Sequence, residues 1–259
     1  MNFLMILLII LAIVSFIVGI YYWLQFTSTK LSLTFLTETE TQTVLNNDAD
    51  HYYDTFQKED LKVRHVKSKQ DYLGKISKSS CDGNIEIEEK ITYCVEKLHT
   101  YMKQYTGQTI EGVTIDDLMK LPWKIGFICD KVYENGLPHT RGDVIILSNQ
   151  HIQSLTIPEV CRLLLHEQTH VFQKKYGMTD YLKTHYDTVT VHDKEKKRIP
   201  ANPDTDGLVY KDKSNGTVFQ GQYNKTPKFF RDITFTNGDH TMEHPFEYMA
   251  YQLEKLFKE

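Results

Sequence analysis

Residues 157–177 read IPEVCRLLLHEQTHVFQKKYG, and the stretch His166-Glu167-Gln168-Thr169-His170 at their centre decides how the chain is read. Pro158 suits the first turn of a helix and Gly177 suits its end. LLL at 163–165 and Val171-Phe172 flank the five residues, so a buried helix is expected. Two histidines four positions apart lie about 40° apart around a helix axis and one turn apart along it. Both imidazoles then reach one tetrahedral zinc at roughly 2.0–2.1 Å. Glu167 lies about 100° round from His166. That aims it at the open fourth position rather than at the metal, where a general base belongs. Cys161, about 140° round from His166, is expected in the core.

HEQTH at 166–170 resembles the active-site motif of the zincin metallopeptidases. Within that clan the third ligand separates the families. Gln173 and Tyr176 stand where a metzincin needs glycine and histidine, and no GTxD-type motif of the aspzincins occurs. The gluzincin pattern needs a glutamate on a second helix with a small residue three positions later. HPFEYMA at 244–250 offers Glu247 and Ala250, with Glu243 as the alternative ligand. The resemblance implies an α+β, zincin-like fold with Zn2+ held by His166, His170 and Glu247. It also implies peptide-bond hydrolysis in a peptide or protein substrate, with Glu167 taking a proton from a metal-activated water. The run at 143–147 falls where zincins place the edge strand that pairs with an extended substrate.

A developing oxyanion needs a second donor. His244 is the first choice, with Tyr248 and His240 behind it. Asn202-Pro203-Asp204 reads as a turn, and either Asn202 or Asp204 could support a ligand histidine from behind. His185, His192, Asp187 and Asp193 read as solvated loop. Two sequons, at Asn215 and Asn224, decide nothing by themselves.

Residues 3–24 are almost continuously apolar and would span roughly 33 Å as a helix, enough for a bilayer core of about 30 Å. Tyr21-Tyr22-Trp23 closes the run like an aromatic belt. No basic start or small-residue cleavage site favours a signal peptide. A retained single-pass anchor is therefore expected, with its side of the membrane open, and a secreted chain if the segment is cleaved. The four cysteines form no CxxC pair; their even count permits disulfides in any of three connectivities, and the lack of a dense spacing pattern favours free thiols. The formal net charge is −4, and no basic field points to nucleic acid.

The expected organisation is an anchor at 1–24, a polar Thr-rich stalk at 25–50, a helical N-terminal subdomain at 51–112 and a zincin-like catalytic domain at 113–259. In 84–105, Ile91, Val95, Leu98, Met102 and Tyr105 mark one apolar helix face. Trp123–Cys129 and Asp143–Leu147 read as an antiparallel strand pair. Residues 178–240 are too long for a plain connector and should carry hairpins or a substrate-covering loop. A last helix starts at Pro245, with Phe246, Met249, Ala250, Leu253 and Phe257 on its apolar face. Two other functions fit the same residues: a membrane-anchored structural or binding protein whose zinc only stabilises the fold, and a small-molecule amidase.

Overall fold

The computed structural model describes residues 31–129 and 131–258. In chain order the elements are β1 (Leu33–Phe35), α1 (Glu38–Asn47), α2 (Lys58–Val63), α3 (Lys69–Ile76), β2 (Ser80–Cys81), α4 (Ile85–Met102), β3 (Thr109–Ile110), β4 (Val113–Thr114) and α5 (Ile115–Lys120). They continue as β5 (Trp123–Ile128), β6 (His139–Arg141), β7 (Val144–Ser148), α6 (Asn149–Ser154), α7 (Ile157–Tyr176), α8 (Thr179–His185), β8 (Tyr186–Val189) and α9 (Asp193–Lys196). The chain ends with β9 (Val209–Asp212), β10 (Val218–Phe219), β11 (Gly221–Tyr223), β12 (Ile233–Phe235) and α10 (Pro245–Glu254). Among the described residues, helices and strands follow no repeating βα unit, and antiparallel pairs outnumber parallel ones, which makes the arrangement α+β.

The main sheet runs β1-β5-β7-β6, with β2 also paired to β5. Both faces of β5 are covered. Gly126 lies under Thr41 of α1, and Leu45 joins Ile128, Val144 and Ile146 in one apolar cluster. Trp123, Ile125 and Phe127 alternate to the opposite face, and α7 packs on β6 and β7 with α4 against it. A sheet buried on both sides explains why WKIGFI and VIILS are almost unbroken apolar runs.

Strands β5 and β7 pair parallel, not antiparallel as expected. The reason is β6, which the sequence hides because His139-Thr140-Arg141 has no apolar residue. Gly142, at φ +61, turns β6 back onto β7 as an antiparallel hairpin, which sets β7 parallel to β5. The expected edge strand at 143–147 is therefore interior, and β6 is the edge.

The stretch expected to be a polar stalk is folded in part. Leu33–Phe35 pairs parallel with Trp123–Ile125. Thr37 and Glu40 close a capping box on α1, and TETETQT is the start of that helix rather than a linker. Residues 51–112 do not stand apart either. Leu33–Glu259 forms one compact unit. Arg64, with its side chain 1% exposed, binds Asp60 on its own helix and Glu134 in the β5–β6 connection. Arg141 reaches back to Asp48 and Asp50.

All four cysteines are paired, against the free-thiol expectation. Cys81–Cys129 ties β2 to the end of β5, and Cys94–Cys161 ties α4 to α7. Their sequence separations of 48 and 67 give no local pattern for a sequence reading to find.

The membrane anchor is corrected as well. Among the described residues no helix is long and apolar enough to cross a membrane. The two longest, α4 and α7, carry Glu86, Glu88, Glu89 and Lys90 or Glu159, Arg162, Glu167 and Lys174 along their length. The expected span at 3–24 lies outside the described residues, and neither the single-pass location nor the membrane as partner is retained.

Candidate metal centre

Helix α7 starts with a capping box between Thr156 and Glu159, carries Pro158 in its first turn and stops at Gly177, whose φ of 73 ends the helix. These signals set its register. His166 and His170 share the face that meets α10, where Ala250 is fully buried between the helices. Glu247, one turn before Ala250, lies opposite the imidazoles.

The three side chains converge. His166 Nε2 and His170 Nε2 are 3.1 Å apart. Oε2 of Glu247 lies 3.4 Å from the first and 3.7 Å from the second. Donors about 2.0–2.1 Å from one tetrahedral centre have edges of about 3.3 Å, so this triangle fits a shared ion. Two imidazole nitrogens and one carboxylate oxygen suit a borderline divalent metal. His166, His170 and Glu247 thus form a buried group that could hold a metal ion.

The far nitrogens set the tautomer. His170 Nδ1 lies 2.8 Å from Gln173 Oε1, while Gln173 Nε2 donates to the carbonyl of Phe246 at 3.0 Å. With its amide so oriented, Gln173 can only accept from His170. His166 Nδ1 lies 3.2 Å from Glu254 Oε2. Both rings thus carry the proton on Nδ1 when neutral, which leaves both Nε2 lone pairs for the shared point. In the metal-free protein, burial opposes charge on both rings. Hydrogen bonds from His166 to Glu247 and Glu254, and for His170 the charges of Asp204 and Glu247, more than offset it. Both stand above the ordinary histidine value, His166 well above it. Burial works against the Glu247 carboxylate too, but the two histidines hold it well below the usual range.

Glu167 is buried, and its Oε2 has no hydrogen-bond partner. Burial first, then the charge of Asp204, pushes it up to about 7 against the pull of the two histidines. Asn202 accepts from the Asp204 N–H at 2.9 Å through Oδ1. That turns its Nδ2 toward Glu247 Oε1 at 2.9 Å and Glu243 Oε1 at 3.3 Å. The centre opens on a cleft of about 710 Å³ lined by residues of α6, α7, α10, the 200–204 loop and the β11–β12 hairpin.

No family model matches this chain, and searches of curated proteins and of solved structures each return no match.

The sequence expectations meet this geometry unevenly. His166, Glu167, His170 and Glu247 come together. Glu243 lies on the cleft wall, bonded to Asn202 rather than within the triangle. Asn202 supports a ligand, but the carboxylate rather than a histidine. Asp204 instead accepts from Thr140 N at 3.1 Å and from Lys174 at 2.9 Å. His244 is not at the centre: it caps α10, accepting from Phe246 N at 3.1 Å through Nδ1, and its Nε2 meets Asp206 at 2.9 Å. Tyr248 packs its ring on Phe219 at 5.7 Å, on the wrong side of α10. Tyr251 faces the centre instead: its ring lies 4.7 Å from that of His166, and it lines the cleft beside His240. The sequence reading missed Tyr251, Glu254 and Gln173. Spacing could have found them: Tyr251 and Glu254 follow Glu247 by four and seven, and Gln173 follows His170 by three, all on the ligand faces.

The edge strand is closed where it is nearest the site. Thr140 N donates to Asp204, and Thr140 O accepts from Lys174 Nζ at 2.7 Å. Its outward backbone groups are therefore spent on the protein's own side chains, not left for an added strand.

Proposed function

We propose that this chain is a zinc-dependent hydrolase of peptide bonds, similar to the gluzincin type of zincin metallopeptidase. The observation that carries the reading is the convergence of His166, His170 and Glu247 beside a buried, unpartnered Glu167 at the head of an open cleft. A bound divalent ion would supply Lewis acidity, polarising a carbonyl and making a water acidic near neutral pH. The protein's own part is in the side chains. Gln173 and Glu254 hold the two imidazoles in the tautomer that presents Nε2, and Asn202 holds the Glu247 carboxylate. Glu167 accepts a proton from the attacking water and passes it to the leaving nitrogen. Tyr251 is the phenol positioned to steady the developing oxyanion. Its hydroxyl makes no hydrogen bond among the described residues, and burial raises its pKa so that it stays a donor.

The test separates hydrolysis from a metal that only stabilises the fold. Full-length protein is loaded with zinc, its metal content is measured and peptide cleavage is followed. Glu167→Gln should keep the metal and lose cleavage by a factor of about 100 or more. A variant that keeps both would sink the reading. Cleavage of short amides but of no polypeptide would move it to an amidase.

A further inference from the structure

We propose that the end of the cleft beside the first turns of α7 is a carboxylate-binding subsite, formed by Arg162, Arg231 and His151, that selects peptides presenting an acidic group. This specificity rests on the hydrolase reading above.

The acids on the cleft wall are already engaged. Glu134 is paired with Arg64 at 2.6 Å. Asp204 is paired with Lys174, Glu254 with His166, and Glu243 accepts from Asn202. Glu159 spends Oε2 on Thr156 N and Oγ1 at 2.7 and 2.6 Å. Glu167 and Glu247 belong to the metal centre. Every carboxylate lining the cleft thus has work inside the protein.

The cations do not. Arg162 and Arg231 both line the cleft, and neither side chain makes a hydrogen bond or ion pair among the described residues. Arg162 feels the charge of Glu159, but that carboxylate is held by the helix cap. Arg162 precedes His166 by four positions, so it shares the face of the metal ligands about 6 Å further along the axis. His151 sits on α6, just before α7. Arg231 comes from the hairpin connection, yet its charge reaches His151, whose pKa is lowered first by burial and then by Arg231 and Lys131. The two guanidinium groups and the His151 imidazole therefore gather at one end of the cleft. The chain as a whole has a formal charge of −4, so this excess is local.

A guanidinium presents a planar fork that matches a carboxylate. With Arg162 one turn from His166, the acidic group recognised falls within about two residues of the bond to be cut. Closure of the β6 edge at Thr140 raises the weight that side-chain recognition must carry.

Two sources supply such a group: an Asp or Glu side chain, or the free C-terminus of a short peptide. Zinc-loaded full-length protein is given matched peptides with Glu or Gln flanking the scissile bond, and with free or amidated C-termini. One acidic form should be preferred about tenfold in kcat/KM, and the peptide pair showing the preference identifies the source. The double variant Arg162→Gln, Arg231→Gln should bring the ratio close to one, and Arg162→Lys, Arg231→Lys should restore part of it. Binding of the same labelled peptides to Glu167→Gln protein gives a readout independent of catalysis. Selective binding of the acidic peptide without cleavage by the wild type would defeat the hydrolase reading and leave the subsite standing. Equal binding of acidic and neutral peptides, no binding of either, or a preference that survives the double Gln substitution would overturn the subsite.

Discussion

Asn202 Nδ2 donates to Glu247 Oε1 at 2.9 Å, joining a loop residue to a helix residue 45 positions later. The bond leaves Oε2 of the same carboxylate facing the two imidazoles. Groups that orient a metal ligand typically contribute 10–100-fold to affinity. Asn202→Ala is therefore expected to weaken zinc binding by about tenfold or more, read by competition with a chelating dye. An unchanged affinity would mean that Glu247 is oriented without it.

Acid should act in two stages. His166 and His170 stand above the ordinary histidine value of 6.5 in the metal-free protein, so protons compete with the metal as the pH falls through that range. Glu134 and Asp204 are shifted the other way. Burial opposes their charge, but Arg64 and Lys174 hold them below the usual carboxylate range. Their contribution to stability is present above the unfolded values near 4.5 and 3.8 and is lost as the pH falls through the lowered folded values. Zinc should leave first, from a chain that still shows native near-UV circular dichroism, and unfolding should follow at lower pH. Zinc retained at pH 4 would argue against a site built on these imidazoles.

Replacing Arg64 should cost more than any surface charge. Its side chain is 1% exposed and serves Asp60, Glu134 and Tyr52. Arg64→Ala strands two buried carboxylates, which typically costs about 3–5 kcal/mol. Urea unfolding should show the unfolding free energy lowered by that amount. A shift below 1 kcal/mol would mean that water reaches the pair.

The two disulfides restrain the unfolded chain over separations of 48 and 67 residues. On chain-entropy grounds, each cross-link over a loop of that length contributes about 4 kcal/mol. Cys94→Ala with Cys161→Ala should lower the melting temperature by roughly 10 °C. Mass measurement with and without reductant checks that both pairs exist. Four reactive thiols in the native protein would contradict the pairing.

Much of the centre was legible because it is local. A spacing of four on a helix fixes where two side chains point, and Pro158, Gly177 and Pro245 punctuate helices through backbone chemistry that needs no partner. The same logic reached Glu247 through its motif. It failed for His244, because a histidine before a helix can cap that helix, and which role wins depends on where Asp206 lies. It failed for Tyr248 because that residue lies about 100° round the helix from Glu247, whereas Tyr251, four positions on, lies only about 40° round.

What the amino-acid order determined alone is the set of short-range facts: the motif helix, its histidine pair and the last helix with its glutamate. Tertiary structure decided which distant groups complete them: Asn202 on Glu247, Glu254 on His166, a hidden polar strand that reverses the expected pairing, and two disulfides. Bond geometry carries information over a few residues. Contacts between residues far apart in the chain exist only once burial has brought the segments together, and no spacing rule encodes them.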